Sequence, residues 1–272
     1  MKVACVQNCA SNDMAETLNT VAKLIYEAAK ENADLIALPE YFSCLHVEDA
    51  RFIAGALPED QHPALLLIKD IAKEVDAWIL IGSLAIDDGG ARYKNRSFMI
   101  DSSGEIKAKY DKIHMFDVTL DNGQTYRESE IFKPGDKAVM VSTPWGKIGL
   151  SICYDLRFAY LYRSLAQAGA SILTVPAAFM HATGRAHWHA LLRARAIETG
   201  SYVIAPCQYG KHGKARTYGH SLIVDPWGEI QAEGNANNHD IVTAILDLDR
   251  VGEVRDKIPA LRHDRSYDNL DI

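Results

Sequence analysis

The sequence predicts an α/β fold in which two sheets lie face to face with helices outside. Three observations carry this. First, three segments of the first half recur in the second, in the same order: Lys2-Val3-Ala4-Cys5-Val6-Gln7 parallels Lys147-Ile148-Gly149-Leu150-Ser151-Ile152, Ala33 to Pro39 parallels Ala170 to Pro176, and Ser97 to Ile106 parallels Ser221 to Ile230. Second, these apolar runs alternate with segments whose apolar residues recur at helical spacing. Third, no Pro/Gly/Ser-rich linker or low-complexity stretch separates the halves, so 1–272 reads as a single domain. Strands with helices to one side, given twice, bury their faces by stacking sheet on sheet.

The elements follow in order. Lys2 to Gln7 is a strand. Asp13 can cap a helix that carries Leu18, Val21, Leu24, Ile25 and Ala28 on one face. Leu35 to Leu38 is a strand that Pro39 ends, because proline cannot continue a central ladder. Ala64 to Val75 reads as a second helix, with Leu67, Ile68 and Ile71 inward. The segments around Asp101-Ser102-Ser103-Gly104 and Asp225-Pro226-Trp227-Gly228 read as hairpin turns. In the second half, Phe158 to Ala168 and His187 to Thr199 take the helix positions.

Composition narrows the function. Hydrophobic residues make up 48% of the 272 and charged residues 24%, as in ordinary soluble globular chains. A net charge of −7 without a long basic cluster argues against a nucleic-acid partner. No apolar run reaches the ~18 residues of a membrane span. Strand-forming residues start at Lys2, so no leader peptide is expected. The five cysteines, Cys5, Cys9, Cys44, Cys153 and Cys207, are odd in number and show no C-x-x-C spacing. Reduced thiols in a cytoplasm are therefore expected.

Chemistry concentrates at three strand ends. Cys153 follows the apolar run Ile148 to Ile152 and precedes a helical segment, so it is expected near a helix N-terminus, where a thiolate is favoured. A lone cysteine there reads first as a buried structural residue, and only the two segments that follow reverse that reading. Glu40 follows Pro39 at the end of a strand, and Lys112 closes another strand-like stretch. Each alone reads as a surface charge. Together they offer a base, a cation and a thiol.

Pro39-Glu40, Tyr110-Asp111-Lys112 and Ile152-Cys153-Tyr154-Asp155 resemble, in order and spacing, the signatures of the nitrilase superfamily of carbon–nitrogen hydrolases. The resemblance spans essentially the whole chain. It implies a four-layer α-β-β-α sandwich and a Glu-Lys-Cys triad at Glu40, Lys112 and Cys153, with a further glutamate at Glu128. In that scheme Glu40 is general base and then general acid, and the reaction passes through a thioester. Lys112 and the Tyr154 backbone N–H face the oxyanion, and Glu128 orients Lys112 or the substrate nitrogen. The membrane-bound acyltransferase branch is a poor match.

Thr183-Gly184-Arg185-Ala186-His187-Trp188 followed by Arg193-Ala194-Arg195-Ala196 resembles the branch of deaminated glutathione amidases and omega-amidases, which act on the distal amide of a 2-oxo acid. The segments Cys207 to His212 and Tyr218 to Ser221 are more similar to the former. Phe179, Arg185 and Trp188 are the substrate-binding candidates, Arg185 for the carboxylate. Trp188 also reads as a core aromatic, and Arg193 and Arg195 as helix surface or subunit contact. The Tyr209 to Arg216 loop is expected to line the leaving-group side. Ala159-Tyr160 and His189 depart from the branch, which has Pro-Glu and Glu there. No cofactor and no metal is expected. The partners expected are a small-molecule amide and a second copy of the chain, in a homodimer or higher even oligomer, through Phe158, Leu161, Tyr162 and Leu165 and the tail Arg262 to Tyr267.

Other readings compete. Ten histidines make a Cys-His dyad available, with His114, His187 or His220 as partner. His187 and His189 could ligate a metal, although residues two apart on a helix point to different faces. Within the superfamily, an N-carbamoyl amidase, an aliphatic amidase or a nitrilase stands beside the 2-oxo acid reading. A catalytically idle scaffold would have no need of all four residues. A glutamine-fed synthetase would need a further domain.

Overall fold

The computed structural model describes residues 1–120, 123 and 125–268. Two large sheets form its centre. The first runs Asp240–Ile245, Lys2–Gln7, Leu35–Ala37, Trp78–Asp87, Lys94–Ile100, Ile106–Asp111, with Leu57–Pro58 beside Trp78–Asp87. The second runs Val139–Thr143, Gly146–Leu150, Ala170–Thr174, Tyr202–Ala205, Leu222–Val224, Ile230–Glu233. In each, three central strands are parallel, the strand on either side of them runs antiparallel, and one further strand pairs antiparallel with its neighbour at the edge. The repeats read in the sequence occupy matching places. The strand that closes the first sheet comes from the far end of the chain: Lys2–Gln7 pairs along its whole length with Asp240–Ile245.

Alternation along the strands builds the layers. Val3 and Cys5 face inward and join a core with Leu80, Met99, Ile148 and Ile172, so the two sheets pack on each other. Ala4 and Val6 face outward with Leu18, Val21, Ile25 and Ile68 of helices α1 (Met14–Lys30) and α2 (Pro63–Val75). Asp13 caps α1 by accepting the Glu16 N–H at 3.0 Å. On the other side α3 (Ala159–Gln167) and α4 (His181–Thr199) cover the second sheet through Leu161, Leu165, Trp188 and Leu192. This is the expected four-layer α-β-β-α sandwich. A fifth helix, α5 (Asp249–Lys257), follows the closing strand.

Several local expectations change. Helix α4 starts six residues earlier than its apolar spacing shows, because its first turn is polar and small. The segment Tyr209 to Arg216 is largely the antiparallel pair Tyr209–His212 and Ala215–Tyr218, not a loop. Leu161, Tyr162 and Leu165 of α3 are buried in this chain's own core, so they offer no apolar surface to a partner; Tyr160 is the exposed aromatic there. The tail also folds back: Arg163 bonds Asp264 and the Ala260 carbonyl, and Gln167 bonds the Leu261 carbonyl at 3.0 Å. Arg195 is buried, not on the surface. Its Nε and Nη2 donate to the Leu156 carbonyl at 3.0 and 2.7 Å, and Nη1 pairs with Glu198.

Candidate active site

Glu40, Lys112, Glu128 and Cys153 converge in a narrow cleft, where Tyr154 and Phe179 also line the wall. Each arrives by a local feature of the chain. Pro39 ends its strand, and Glu40 begins a tight turn in which Tyr41 takes φ +52°. That turn lies directly on Gly82: a Cβ there would sit 2.1 Å from the Leu38 oxygen and 2.5 Å from the Pro39 carbonyl carbon. Lys112 is the first residue past Ile106–Asp111; its N–H donates to the Asn95 carbonyl (2.9 Å), and its own carbonyl accepts from Gly135 N–H (2.8 Å). Cys153 follows Gly146–Leu150 and takes φ +48°, a region costly for a residue with a Cβ. Its N–H is held by the Pro176 carbonyl at 2.9 Å.

The side chains form one buried charge network. Lys112 Nζ bonds Glu40 Oε1 at 2.9 Å and both Glu128 oxygens at 3.0 and 2.9 Å. Glu40 also accepts from Ala178 N–H through Oε2 (2.9 Å) and from Asn95 Nδ2 through Oε1 (2.9 Å). Glu128 accepts from Asn95 Nδ2 (3.2 Å), Tyr41 Oη (3.2 Å) and Phe116 N–H (2.6 Å). Burial works against the Lys112 charge, but Glu128 and Glu40 outweigh it and hold the ammonium protonated well above the usual lysine range. Burial and the facing Glu40 carboxylate push the Cys153 thiol well up, against the pull of Lys112. These surroundings favour a thiol beside a base over the thiolate expected from a helix end. The physical reason is that α3 begins six residues after Cys153; the sulfur sits on the short 3-10 turn Cys153–Arg157 instead.

That turn is tightly held. Asp155 is fully buried and accepts from Ile152 N–H (2.9 Å), Tyr110 Oη (2.6 Å) and His114 N–H (3.0 Å). Cys153 N–H is taken by Pro176 O, and the next backbone donor used is Asp155 N–H, to Ile152 O (3.1 Å). The Tyr154 N–H lies between these two, and among the described residues it has no hydrogen-bond partner within the protein.

Three candidates fall elsewhere. Trp188 is completely buried behind Phe179, with ring centroids 4.9 Å apart, and its Nε1 donates to the His220 carbonyl; it is a core residue. Arg185 lies outside the cleft on an outer face of α4, beside His181 and Ala182. Beside Lys112, a second cation lines the cleft: Arg157, which the sequence did not single out. Its guanidinium sits 5.5 Å from the ring centroids of both Tyr154 and Phe179 and has no carboxylate partner among the described residues. The pair Tyr209–His212 and Ala215–Tyr218 does not line the cleft either.

None of the three competing histidines lines the cleft. His114 bonds Asp155 and Tyr160 and stacks on Phe158 at 3.5 Å, His187 meets Arg157, and His220 meets Glu233. Asn95 was also missed: a lone asparagine in a strand carries no sequence signal, and only the fold shows it bridging two carboxylates.

Residues 2–256 match the model of the carbon-nitrogen hydrolase family. The chain belongs to this family. It is 40% identical over 263 residues to the deaminated glutathione amidase of Dictyostelium discoideum, covering 93% of this chain and 90% of that one. It is 36% identical over 275 residues to the deaminated glutathione amidase of Yersinia enterocolitica, covering 98% and 94%. Among solved structures, the Caenorhabditis elegans NitFhit protein superposes with a TM-score of 0.88 at 34% identity; the match covers 97% of this chain and 65% of that chain. Saccharomyces cerevisiae Nit3, a member of branch 10 of the nitrilase superfamily, gives 0.85 at 29% identity, covering 97% and 96%. The carbon–nitrogen hydrolase fold and the resemblance read from Glu40, Lys112 and Cys153 agree with these matches.

Proposed function

We infer that this carbon–nitrogen hydrolase cleaves the distal amide of a 2-oxo acid, with deaminated glutathione its preferred substrate and 2-oxoglutarate and cysteinylglycine the products. The observation that carries the chemistry is the buried Lys112, held between Glu40 and Glu128 in the cleft that Cys153 lines. The names of the curated relatives support the substrate.

The steps follow from the proton inventory. Glu40 takes the Cys153 proton as sulfur bonds to the amide carbon. The oxyanion forms beside Lys112 and the Tyr154 N–H, donors already in place before the reaction. The C–N bond then breaks, and Glu40 gives its proton to the departing amine. Water attacks the thioester, Glu40 receives its proton, and the same proton returns to sulfur as the acid leaves. Glu128, which accepts from Lys112 through both oxygens, holds it in position. Arg157 is the group in the cleft able to pair with a carboxylate on the 2-oxo acid end.

We also read the chain as one domain acting as a symmetric homodimer or a multiple of it, in a reducing cytoplasm. Its five free cysteines favour that compartment, and no helix among the described residues is long and apolar enough to cross a membrane.

The test is kcat/KM for deaminated glutathione and for 2-oxoglutaramate under one set of conditions. A preference of about tenfold for 2-oxoglutaramate, about 1.4 kcal/mol, reassigns the chain as an omega-amidase. Turnover of only an N-carbamoyl amine or a nitrile removes the 2-oxo acid reading. Cys153→Ala losing less than about tenfold removes the nucleophile.

A further inference from the structure

Outside the cleft, one group of side chains has ligand chemistry that amide hydrolysis does not use. His189 of α4, His220 of the segment between Ala215–Tyr218 and Leu222–Val224, and Glu233 at the end of Ile230–Glu233 meet on one face, with one ligand atom from each lying within 4.8 Å of the other two. His189 Nε2 is 3.0 Å and His220 Nδ1 is 2.7 Å from the same Glu233 oxygen. We propose that these three residues bind a divalent transition-metal ion of the zinc class.

The donor set is right for such an ion. Two imidazoles and one carboxylate suit zinc and its neighbours rather than magnesium or calcium, which prefer all-oxygen shells. Tetrahedral zinc with bonds of about 2.0–2.2 Å needs ligand atoms about 3.3 Å apart. The two imidazole–carboxylate separations, 3.0 and 2.7 Å, need to open by only a few tenths of an ångström, and the third, within 4.8 Å, closes by about 1.5 Å at most. The side chains are 31%, 23% and 37% exposed, which leaves an approach for the ion and room for water as the remaining ligand.

The three ligands are also held from behind. His220 has φ +54°, an unfavourable conformation for a residue with a Cβ. Its carbonyl accepts the Trp188 Nε1–H at 2.8 Å, and Trp188 is the chain neighbour of His189, so one hydrogen bond ties the backbone of one ligand to the helix of another. The Tyr218 ring packs 4.4 Å from His220 and 5.9 Å from His189. Loading the site balances simply. The two imidazole N–H bonds to Glu233 are given up, each neutral ring carries its proton on its other nitrogen, and three lone pairs face the metal. His187, two residues before His189, turns instead toward Arg157.

The experiment is a Co²⁺ titration of the chelator-treated full chain, followed by visible absorption and metal analysis, with Zn²⁺ as competitor. The expected result is one Co²⁺ per chain, visible bands without a thiolate charge-transfer band, and displacement by Zn²⁺. His189→Gln and Glu233→Gln should each weaken binding by roughly tenfold or more while amide hydrolysis is unchanged, which also shows that both variants fold. Absence of saturable Co²⁺ uptake overturns the site. So does binding that both variants leave intact, or a thiolate band, which would place the metal on cysteine.

Discussion

Tyr110 Oη donates a 2.6 Å hydrogen bond to Asp155 Oδ2, and through it the last strand of the first sheet is tied to the turn that carries Cys153. Lys112 lies two residues beyond Tyr110 and Cys153 two residues before Asp155. One buried bond therefore sets the spacing between ammonium and sulfur across the sheet–sheet interface. Burial and the adjacent Asp155 keep Tyr110 protonated, as a donor must be.

Tyr110→Phe should lose that bond and leave Asp155 short of a donor in the core. Hydrogen bonds to charged groups contribute about 1.5–3 kcal/mol, and a loss of about 2 kcal/mol is expected in urea unfolding. Looser placement of the sulfur should also lower kcat roughly tenfold or more with little change in KM. Unaltered kcat would show that the bond does not position the site.

Glu40→Gln should separate sulfur reactivity from turnover. The carboxylate raises the Cys153 thiol, so removing its charge lets Lys112 favour the thiolate. Alkylation of Cys153 by iodoacetamide, followed by mass spectrometry, should persist or accelerate at neutral pH. Hydrolysis should fall by about three orders of magnitude or more, since no group remains to pass the proton to the amine. Turnover near wild type would contradict the role given to Glu40.

Arg157→Gln should act on binding rather than on chemistry. A lost charge-assisted pair corresponds to about 1.5–3 kcal/mol, or roughly ten- to a hundredfold in KM for a 2-oxo acid amide. An uncharged amide substrate should be affected far less. Equal losses for both would show that Arg157 supports the cleft wall and not the carboxylate.

His62 should make stability depend on pH. Its ring is completely buried, both nitrogens lack a hydrogen-bond partner among the described residues, and burial pulls its pKa down to about 4 from the ordinary value near 6.5. Below about pH 6.5 the unfolded chain takes up a proton that the folded chain refuses until about pH 4. Stability should therefore fall as pH drops from 6.5 to 4, by about 3 kcal/mol from this group. His62→Leu should flatten that part of the profile in denaturant titrations. An unchanged slope would remove His62 as its source.

Much of the fold was legible in the chain because it is written twice. Each repeat carries the alternation that buries one face of a strand against the other sheet and one against a helix, as Val3 and Ala4 do. Alternation does not say which strand closes a sheet. The pairing of Lys2–Gln7 with Asp240–Ile245 joins residues more than two hundred apart, and no local pattern encodes it.

The sequence by itself determined the family, the layer order and the three residue types at strand ends, since these follow from spacing and from where proline and apolar runs stop. Tertiary structure decided the rest of the site. It put Trp188 in the core, Arg185 on an outer face and Arg157 at the cleft. It buried Arg195 beneath the turn that carries Cys153, and it brought Asn95 and Tyr41 onto Glu128. It also set Cys153 where burial and Glu40 push its thiol up. Burial and charge are summed over atoms far apart in the chain, so the protonation of a sulfur and the direction of a guanidinium are properties of the packed molecule, not of any segment of it.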